Sequence, residues 1–341
     1  MRRALDLAAL GLGYARPNPV VGCVIVGPEG NILGEGYHER YGGPHAEVNA
    51  LAAVRQPELL PHSRVFVTLE PCAHHGQTPP CADLLIEKKV GEVIVCNDDP
   101  FALVAGRGLA KLRAADIAVQ TGLLADEGRW LNRRFLTFHE KKRPYLVLKW
   151  AESADGFLAG PHFQPVQISG PQAGLLTHQW RTQEAAILVG TRTALHDNPR
   201  LSARDWPGPQ PTRLVIDKNL ALPPTHHVLD GSQPTVVYTL RARAATPNLT
   251  FVTLPGTAAT ADWLPAVLQD LHARGIQSVL VEGGPTVLGA LLAADTWDEI
   301  RIFRSPRRLE RGIAAPRLGL RGWHSHEHVG EDDLFTYVNN N

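Results

Sequence analysis

The feature that most constrains the fold is a regular alternation of short apolar segments with helix-like segments along the whole chain. The apolar segments are rich in β-branched residues and too short to be helices, as in 20–26 and 64–69. Strands that alternate with helices predict α/β domains, each built on a central sheet. In the first half the predicted strands are 20–26, 31–37, 64–69, 92–96 and 117–120, and the predicted helices are a short amphipathic one at the N-terminus, 44–54, 82–89, 108–115 and 125–140.

The second half repeats this alternation without repeating the sequence, so the halves are not copies of each other. Its predicted strands are 145–150, 186–189, 213–217, 278–282 and two near Val236 and Phe251, and its predicted helices are 174–183, 262–274 and 286–294. A length of 341 residues suits two domains of ordinary size. The charged segment 141–143, followed by Pro144, is typical of a solvated linker. We therefore expect domains at 1–143 and 144–341.

Composition narrows the classes of function. Formal net charge is zero, and basic and acidic residues are nearly balanced on both sides of Arg143. Proteins that bind the nucleic-acid backbone usually carry a basic excess, so a nucleic-acid partner is disfavoured. The sequence contains no run of 18 apolar residues, which predicts no transmembrane helix and no membrane partner. Small molecules are the expected substrates.

The N-terminus and the cysteines bear on the cellular compartment. Asp6 and nearby glycines interrupt the apolar stretch at the start of the chain, which favours an amphipathic helix over a signal peptide. All four cysteines lie in the first 100 residues. Without a secretion signal they are not expected to form a disulfide framework, and we expect a cytoplasmic protein.

Three short segments carry the chemistry of the first half. They are His45-Ala46-Glu47, Pro71-Cys72 and Cys81. A catalytic zinc ion takes three protein ligands and leaves one position open, which His45, Cys72 and Cys81 can satisfy. Glu47 then remains to move protons between water, a ring nitrogen and a leaving amine. This pattern is typical of zinc-dependent deaminases that act on pyrimidine-like rings.

A closed structural zinc site is the alternative for these residues, since His74 or His75 could supply a fourth ligand. A structural site would have no use for Glu47, so we favour the catalytic interpretation, with His74 and His75 as residues of the loop and substrate pocket. Cys23 and Cys96 lie in apolar strands and are interpreted as small core residues.

The clearest feature of the second half is a strand that runs through two glycines into a helix, Val279-Leu280-Val281-Glu282-Gly283-Gly284-Pro285-Thr286. Glycines allow close approach of a ligand to the backbone, and a helix N-terminus favours phosphate groups. A tight structural connection is the alternative. No G-x-G-x-x-G motif follows an early strand, so a Rossmann domain is not expected.

Several segments together resemble the bifunctional deaminase/reductase family of riboflavin biosynthesis, and the resemblance covers nearly the whole chain. Eight residues separate Cys72 from Cys81, whereas most zinc deaminases of this group have two. The other matching segments are Pro17-Asn18-Pro19-Val20-Val21-Gly22, Gly36-Tyr37-His38, His45-Ala46-Glu47, Val104-Ala105-Gly106-Arg107-Gly108, 149–156 and 190–204. The resemblance implies a cytidine-deaminase-like three-layer domain followed by a dihydrofolate-reductase-like domain.

The resemblance also implies a substrate, cofactors and site residues. The substrate would be 2,5-diamino-6-(ribosylamino)pyrimidin-4-one 5′-phosphate, deaminated with Zn²⁺ and then reduced with NADPH from ribosyl to ribityl. It leaves the oligomeric state open, with a homo-oligomer as one alternative. Catalysis is assigned to Glu47; zinc binding to His45, Cys72 and Cys81; substrate binding to Asn18, His38, Arg181, Leu201, Arg204 and Glu282; and NADPH binding to Thr193, Asp197, Gly283 and Gly284. Asp99 is expected in a loop near the substrate.

Some positions depart from the family pattern. Gln77 stands where a basic residue is common and would contact the substrate phosphate without charge assistance. Pro165, Gln167 and Gly174 replace the usual serine, tryptophan and arginine near the expected reductase pockets. An active deaminase with a C-terminal domain that binds but does not reduce is therefore the alternative function, and a surface ion pair is the alternative role for Arg181 and Arg204.

Overall fold

The computed structural model describes residues 1–73, 79–101, 105–255, 260–319 and 322–339. The chain forms two compact units, Met1–Lys142 and Arg143–Asn341. No helix in these ranges is both long enough and apolar enough to cross a membrane. All four cysteines are free thiols.

The first unit is built on a five-stranded sheet in the order β2-β1-β3-β4-β5. The strands β1 and β2 pair antiparallel, as do β1 and β3, whereas β3, β4 and β5 run parallel. Its strands are β1 (Gly22–Val26), β2 (Ile32–Tyr37), β3 (Arg64–Leu69), β4 (Glu92–Asn97) and β5 (Ala118–Thr121), and its helices are α1 (Arg2–Ala9), α2 (Ala46–Ala52), α3 (Cys81–Glu87), α4 (Arg107–Ala114), α5 (Ala125–Leu131) and α6 (Arg133–Lys141).

Helices cover both faces of this sheet, because successive side chains of its strands point to opposite sides. On β1, Cys23 and Ile25 pack with Ala46 and other residues of α2, α3 and α4. Val24, between them, packs against α1 through residues such as Leu7. The unit is therefore a three-layer α/β/α arrangement, as predicted, with Cys23 in the core.

The predicted single helix 125–140 is wrong, since the chain forms two helices that are separated at Asn132. Asn132 has φ −95° and ψ 17°, which interrupts the helical path. Its side chain bonds both backbone groups of Val20: Oδ1 accepts from the Val20 N–H at 2.9 Å and Nδ2 donates to the Val20 carbonyl at 2.9 Å. A tertiary contact thus outweighs the local helical pattern.

The second unit is built on a nine-stranded sheet in the order β11-β10-β9-β8-β12-β6-β13-β16-β15, with a separate pair, β14-β7. Its strands are β6 (Tyr145–Glu152), β7 (Phe157–Ala159), β8 (Ala186–Gly190), β9 (Thr212–Ile216), β10 (Thr235–Thr239), β11 (Leu249–Thr253), β12 (Ser278–Gly283), β13 (Glu299–Arg304), β14 (Ile313–Ala314), β15 (Ser325–Val329) and β16 (Asp332–Val338), and its helices are α7 (Pro171–Gln183), α8 (Thr191–Asp197), α9 (Thr260–Ala273) and α10 (Pro285–Ala293).

The large sheet is parallel from β11 to β13, and β16 and β15 add antiparallel at its end. Leu146 and Leu148 of β6 contribute to one core cluster, and Tyr145 and Val147 contribute to another. The strand is buried on both sides, which is typical of parallel sheets that are covered by helices. This arrangement places the ends of β8 and β12 beside the helices α8 and α10 that follow them.

Candidate active sites

Helix α2 begins at the most informative motif of the sequence. His45 is its N-cap, with φ −72° and ψ 163°, so this residue is not part of the helical turn. Glu47 lies in the first turn and is buried. On an ideal helix, residues two apart point about 200° from each other. The extended backbone of His45 removes that restriction, and both side chains lie in one region of the unit.

A glycine in β2 allows α2 to lie directly on the sheet. A Cβ on Gly36 would lie 2.6 Å from the backbone nitrogen of Ala50, closer than real contacts allow. Asn49 of α2 also donates from Nδ2 to the Tyr37 carbonyl at 2.9 Å. These contacts hold α2 in place and thereby position His45 and Glu47.

The two thiols of the motif come from the ends of other elements. Cys72 follows β3, and Cys81 is the first residue of α3. The backbone N–H of Cys81 donates to the Cys72 sulfur at 3.3 Å, and the N–H of Ala82 donates to the Cys72 carbonyl at 3.1 Å. The N-terminus of α3 therefore fixes Cys72 directly.

His45, Cys72 and Cys81 converge as the sequence pattern suggests. The His45 Nδ1 atom lies 3.3 Å from the Cys81 sulfur and 3.6 Å from the Cys72 sulfur. All three ligand atoms lie within 4.8 Å of one another. One imidazole nitrogen and two sulfurs form a donor set that zinc prefers, and a tetrahedral ion would keep a fourth position for water. The residues present thus fit a catalytic zinc ion.

The electrostatics of this cluster favour proton transfer. The hydrogen bond between the two thiols lowers the pKa of Cys72, and it raises the pKa of Cys81. Burial, with a smaller contribution from the negative charge of Cys72, raises the pKa of Glu47 to about 7. A carboxyl group with such a pKa can accept and release a proton near neutral pH.

Asn18 and His38 form a polar pair beside the cluster. The His38 Nδ1–H donates to the Pro44 carbonyl at 3.0 Å, and burial lowers the pKa of His38, which keeps its ring neutral. In that tautomer Nε2 is an acceptor, and it receives a hydrogen bond from Asn18 Nδ2 at 3.1 Å. The rings of His38 and His45 lie edge to face, 5.4 Å apart. Asn18 is thus held with its amide orientation fixed.

Glu70 contributes to this site although the sequence motifs did not point to it. It is buried, and its carboxylate accepts hydrogen bonds from the backbone N–H groups of Asp99, Gly106, Gly108 and Leu109 at 2.9 to 3.4 Å. It therefore ties the residues after β4 and the start of α4 to the segment that carries Cys72. The only sequence signal was the position of the glutamate, directly before the Pro71-Cys72 motif, and it does not identify the partners of Glu70.

Asp99 lies beside this network. Burial raises the pKa of Asp99 to about 6, and its carboxylate accepts the N–H of Phe101 at 2.8 Å. The interpretations of His74, His75, Gln77 and Val104 lie outside the described residues.

The second unit contains a pocket of about 490 Å³. Four of the residues that were predicted to bind the substrate or NADPH line this pocket: Arg181, Asp197, Leu201 and Arg204. Gln167 and Gly174, which depart from the family pattern, also line the pocket. Its other lining residues include Lys149, Ser169, Thr177, His178 and Asn198. Half of the eight predicted reductase residues therefore meet around one cavity.

Arg181 and Arg204 differ in their surroundings. Arg181 is largely buried, with 12% of its side chain exposed. It makes two hydrogen bonds to Glu282, from Nε at 2.7 Å and from Nη2 at 2.6 Å, and a third to the Ser202 carbonyl at 2.9 Å. Arg204 is more than half exposed and lies 3.5 Å from Asp205. An exposed pair is thus present at Arg204, whereas the pair of Arg181 is buried and bidentate.

Lys149 is a further residue that the motif reading did not assign to a role. It lies on β6 and lines the pocket. Burial lowers the pKa of Lys149, while Glu282 opposes this shift and Arg181 adds to it. A partly buried amine with a lowered pKa thus lines the pocket near both a carboxylate and a guanidinium.

The two glycines after β12 lie against Thr193 of α8. A Cβ on Gly284 would lie 2.6 Å from the Thr193 Oγ1 atom, so a side chain at this position would collide. Gly284 is the N-cap of α10, and Gly283 has φ +130°, a conformation that favours glycine. The free N–H groups of α10 therefore stand next to a bare backbone, which suits the phosphates of a dinucleotide.

Gln167 and Gly174, which depart from the family pattern, shape the pocket locally without filling it. Gln167 donates from Nε2 to the Ser169 carbonyl at 2.8 Å, and its own carbonyl accepts from Arg307. A Cβ on Gly174 would meet no described atom within 4 Å, so the pocket wall is open at this position of α7. Neither residue blocks the cavity.

Each half of the chain matches a known protein family. Residues 1–97 match the family described as the cytidine and deoxycytidylate deaminase zinc-binding region, and residues 144–311 match the RibD C-terminal domain. The predicted cytidine-deaminase-like and dihydrofolate-reductase-like folds are thereby confirmed.

Relatives match the chain over nearly its whole length. The riboflavin biosynthesis protein RibD of Aquifex aeolicus is 38% identical over 323 residues, which covers 94% of this chain and 90% of that protein. The RibD of Escherichia coli is 38% identical and covers 91% and 87%. Among solved structures, Acinetobacter baumannii RibD has a TM-score of 0.90 at 32% identity, covering 99% of this chain and 97% of its own.

A Thermotoga maritima structure described as a diaminohydroxyphosphoribosylaminopyrimidine deaminase/5-amino-6-(5-phosphoribosylamino)uracil reductase has a TM-score of 0.89 at 33% identity, covering 98% and 96%. With both halves and the full length matched, the chain belongs to the RibD family of bifunctional deaminase/reductases of riboflavin biosynthesis.

Proposed function

We propose that this chain carries out two consecutive steps toward riboflavin. The first is hydrolytic deamination of 2,5-diamino-6-(ribosylamino)pyrimidin-4-one 5′-phosphate, and the second is reduction of its ribosyl group to ribityl. The observation that carries the proposal is the convergence of His45, Cys72 and Cys81 within 4.8 Å, beside the buried Glu47. Small molecules are the substrates of both steps.

In the deaminase site, metal binding and proton transfer belong to different residues. His45, Cys72 and Cys81 would hold Zn²⁺, which when bound acts as a Lewis acid that makes water a nucleophile near neutral pH. Glu47 would take one proton from that water and deliver it to the ring nitrogen as the C–O bond forms. It would then move the remaining hydroxyl proton to the amino group, which leaves as ammonia when the C–N bond breaks. Its pKa of about 7 suits both transfers. The product is the corresponding 5-amino-6-ribosylamino-uracil phosphate.

Asn18 and His38 would position the pyrimidine. The hydrogen bond of 3.1 Å to His38 fixes the Asn18 amide and directs its carbonyl oxygen away from the histidine. That oxygen can then accept a hydrogen bond from an amino group of the ring. His38 stays neutral and acts through Asn18, so it orients the ring without taking part in proton transfer.

The reductase site would lie around the pocket of the second unit. NADPH, when bound, supplies the hydride for the reduction. Gly283 and Gly284 would receive its phosphates at the start of α10, with Thr193 and Asp197 of α8 beside them. Arg204 would bind the substrate phosphate, Leu201 would line the pocket, and Glu282 would hold Arg181 in its wall.

The remaining assignments concern the whole chain. We assign the deaminase to residues 1–143 and the reductase to residues 144–341. The balanced charge and the cofactors of central metabolism support a cytoplasmic enzyme that binds neither nucleic acid nor a membrane. A homo-oligomer is our proposal for the assembly, and sedimentation would test it.

Gln167 and Gly174 favour one alternative, in which the second domain binds NADPH without reducing the substrate. Both residues line the pocket in place of larger family residues. This alternative keeps the deaminase unchanged and predicts tight cofactor binding without turnover.

One assay, supplemented by an NADPH titration, distinguishes the bifunctional enzyme from a deaminase whose second domain does not reduce. Zinc-loaded protein is mixed with the diaminopyrimidine ribosyl phosphate, and ammonia release is measured while NADPH absorbance is followed in the same cuvette. Ammonia followed by NADPH oxidation is the expected result. Ammonia without oxidation, together with NADPH binding in a separate titration, would support the alternative. No ammonia release would refute the substrate assignment.

A further inference from the structure

A second group of potential metal ligands lies far along the sequence from the deaminase motif, on the hairpin of β15 and β16. His326 Nε2 and His328 Nδ1 each lie 2.8 Å from the same Asp333 oxygen, Oδ1. The three ligand atoms lie within 4.8 Å of one another. Neither proposed reaction uses any of these residues.

The hairpin geometry explains why these side chains converge. His326 and His328 are two residues apart on β15 and therefore point to the same face of the sheet, while Glu327 points to the other. Asp333 of β16 is the direct register partner of His328. The turn at Gly330, with φ +66°, connects the two strands and fixes this register.

The ring of His326 is held in orientation by its neighbours. It stacks on Phe335, its register partner, with ring centroids 4.6 Å apart and planes within 7° of parallel. The rings of His326 and His328 lie 5.2 Å apart at an angle of 69°. One ligand is thus preoriented, and His328, which is 81% exposed, can adjust to an ion.

Charge at the site suits a cation. Arg304 lies opposite Asp333 on β13, but its guanidinium is bound to Glu152 at 2.8 Å, which offsets its charge. Two imidazoles and one carboxylate then remain to face an ion. A tetrahedral ion with bonds of about 2.0–2.1 Å separates its ligands by about 3.3 Å. The observed separations of 2.8 Å need to open by only about half an ångström, which exposed side chains allow.

We propose that His326, His328 and Asp333 form a second metal site, which binds a divalent transition metal such as Zn²⁺ or Ni²⁺. Imidazole nitrogens select these ions over Mg²⁺ and Ca²⁺, which prefer sites made entirely of oxygen ligands. The exposed position leaves the remaining coordination positions to water. Binding joins the edge strand β15 to β16, so the ion acts on the sheet edge and takes no part in either reaction.

The test is metal stoichiometry of the full-length, untagged protein. Protein whose deaminase site is already filled with zinc is titrated with Ni²⁺ by calorimetry and by competition with a chromophoric chelator. One further equivalent per chain is the expected result. His328→Ala removes this equivalent, and Asp333→Asn weakens its binding. Cys72→Ala, in contrast, loses the first equivalent and keeps the second.

His324→Ala is the matched control, because His324 is exposed and directly precedes the same strand but lies outside the group of three ligands. This variant should keep the second equivalent. Circular dichroism checks that each variant is folded. The proposal is overturned if the wild type takes up no further metal, if His328→Ala binds it as tightly as the wild type, or if His324→Ala abolishes the uptake.

Discussion

Arg181, which lines the pocket of the second unit, and Glu282 are 101 residues apart in the chain and form a bidentate ion pair at 2.6 and 2.7 Å. Only 12% and 10% of their side chains are exposed. Burial opposes ionisation of Glu282, but Arg181, with smaller contributions from Lys149 and His178, outweighs burial and lowers its pKa. Both groups therefore stay charged, and the stability of each depends on the other.

Removing one partner should destabilise the chain strongly. Glu282→Gln keeps the shape of the side chain and leaves the Arg181 charge buried without its counter-ion. Loss of one partner of a buried pair typically costs about 3–5 kcal/mol in the free energy of unfolding. Urea unfolding followed by circular dichroism measures this change. Arg204→Gln breaks an exposed pair at the same pocket and should cost less than about 1 kcal/mol; equal losses in the two variants would contradict the assignment.

Arg204 should act on substrate affinity instead of stability. A charge-assisted hydrogen bond contributes about 1.5–3 kcal/mol, so Arg204→Gln should raise the KM of the reductase step by about 10- to 100-fold. If the arginine binds the phosphate equally in the ground and transition states, kcat stays nearly unchanged. The matched control is the substrate without its phosphate. With that riboside the variant and the wild type should differ little, and an undiminished difference would place Arg204 elsewhere.

The pattern of apolar residues predicted the bounds of strands and helices closely where an apolar strand is followed by a helix. The predicted strand 64–69 coincides with β3, and the predicted helix 286–294 differs from α10 by one residue at each end. The strands near the C-terminus are not apparent in the sequence because they carry charges. On β13, Glu299 and Arg301 are buried, but they pair with each other at 2.6 Å, which makes their burial tolerable.

The convergence of His45, Cys72 and Cys81 was predictable because each lies at the end of an element with a distinctive local motif. The environment of Arg181 was not, since its partner is remote in sequence and no pattern links the two. Glu70 was missed for the same reason. Its partners are the backbone N–H groups of Asp99, Gly106, Gly108 and Leu109, and no side-chain pattern reveals them. Contacts of this kind arise only once the sheet has been assembled.

Asn132 offers a test of such a contact. Asn132→Ala removes the acceptor for the Val20 N–H and the donor for the Val20 carbonyl, both buried. An unsatisfied buried polar group costs about 1–3 kcal/mol, so the two groups together should cost the variant about 2–6 kcal/mol in the free energy of unfolding. Asn49→Ala is the control with a single bond, to the Tyr37 carbonyl. It should lose less, and a smaller loss for Asn132→Ala would contradict the role given to its side chain.

Glu47 provides the sharpest test of the deaminase mechanism, because metal binding and proton transfer are assigned to different residues. Glu47→Gln keeps the volume of a buried side chain and removes the group that accepts protons. Loss of a general acid–base group typically lowers the rate by about 10²–10⁴-fold. Ammonia release should fall by this factor while the zinc content, measured by mass spectrometry, equals that of the wild type.

Two comparisons make this result decisive. Cys72→Ala should lose one equivalent of zinc and all deamination, since only two ligands remain at the site. Glu58→Gln, a change at an exposed glutamate of the same unit, should leave both zinc and turnover unchanged. If Glu47→Gln lost zinc together with activity, Glu47 would act by supporting the metal site. If it kept near-normal turnover, the proton would have to move through another group, and Asp99, with its pKa raised to about 6 by burial, would be the next carboxyl group to examine.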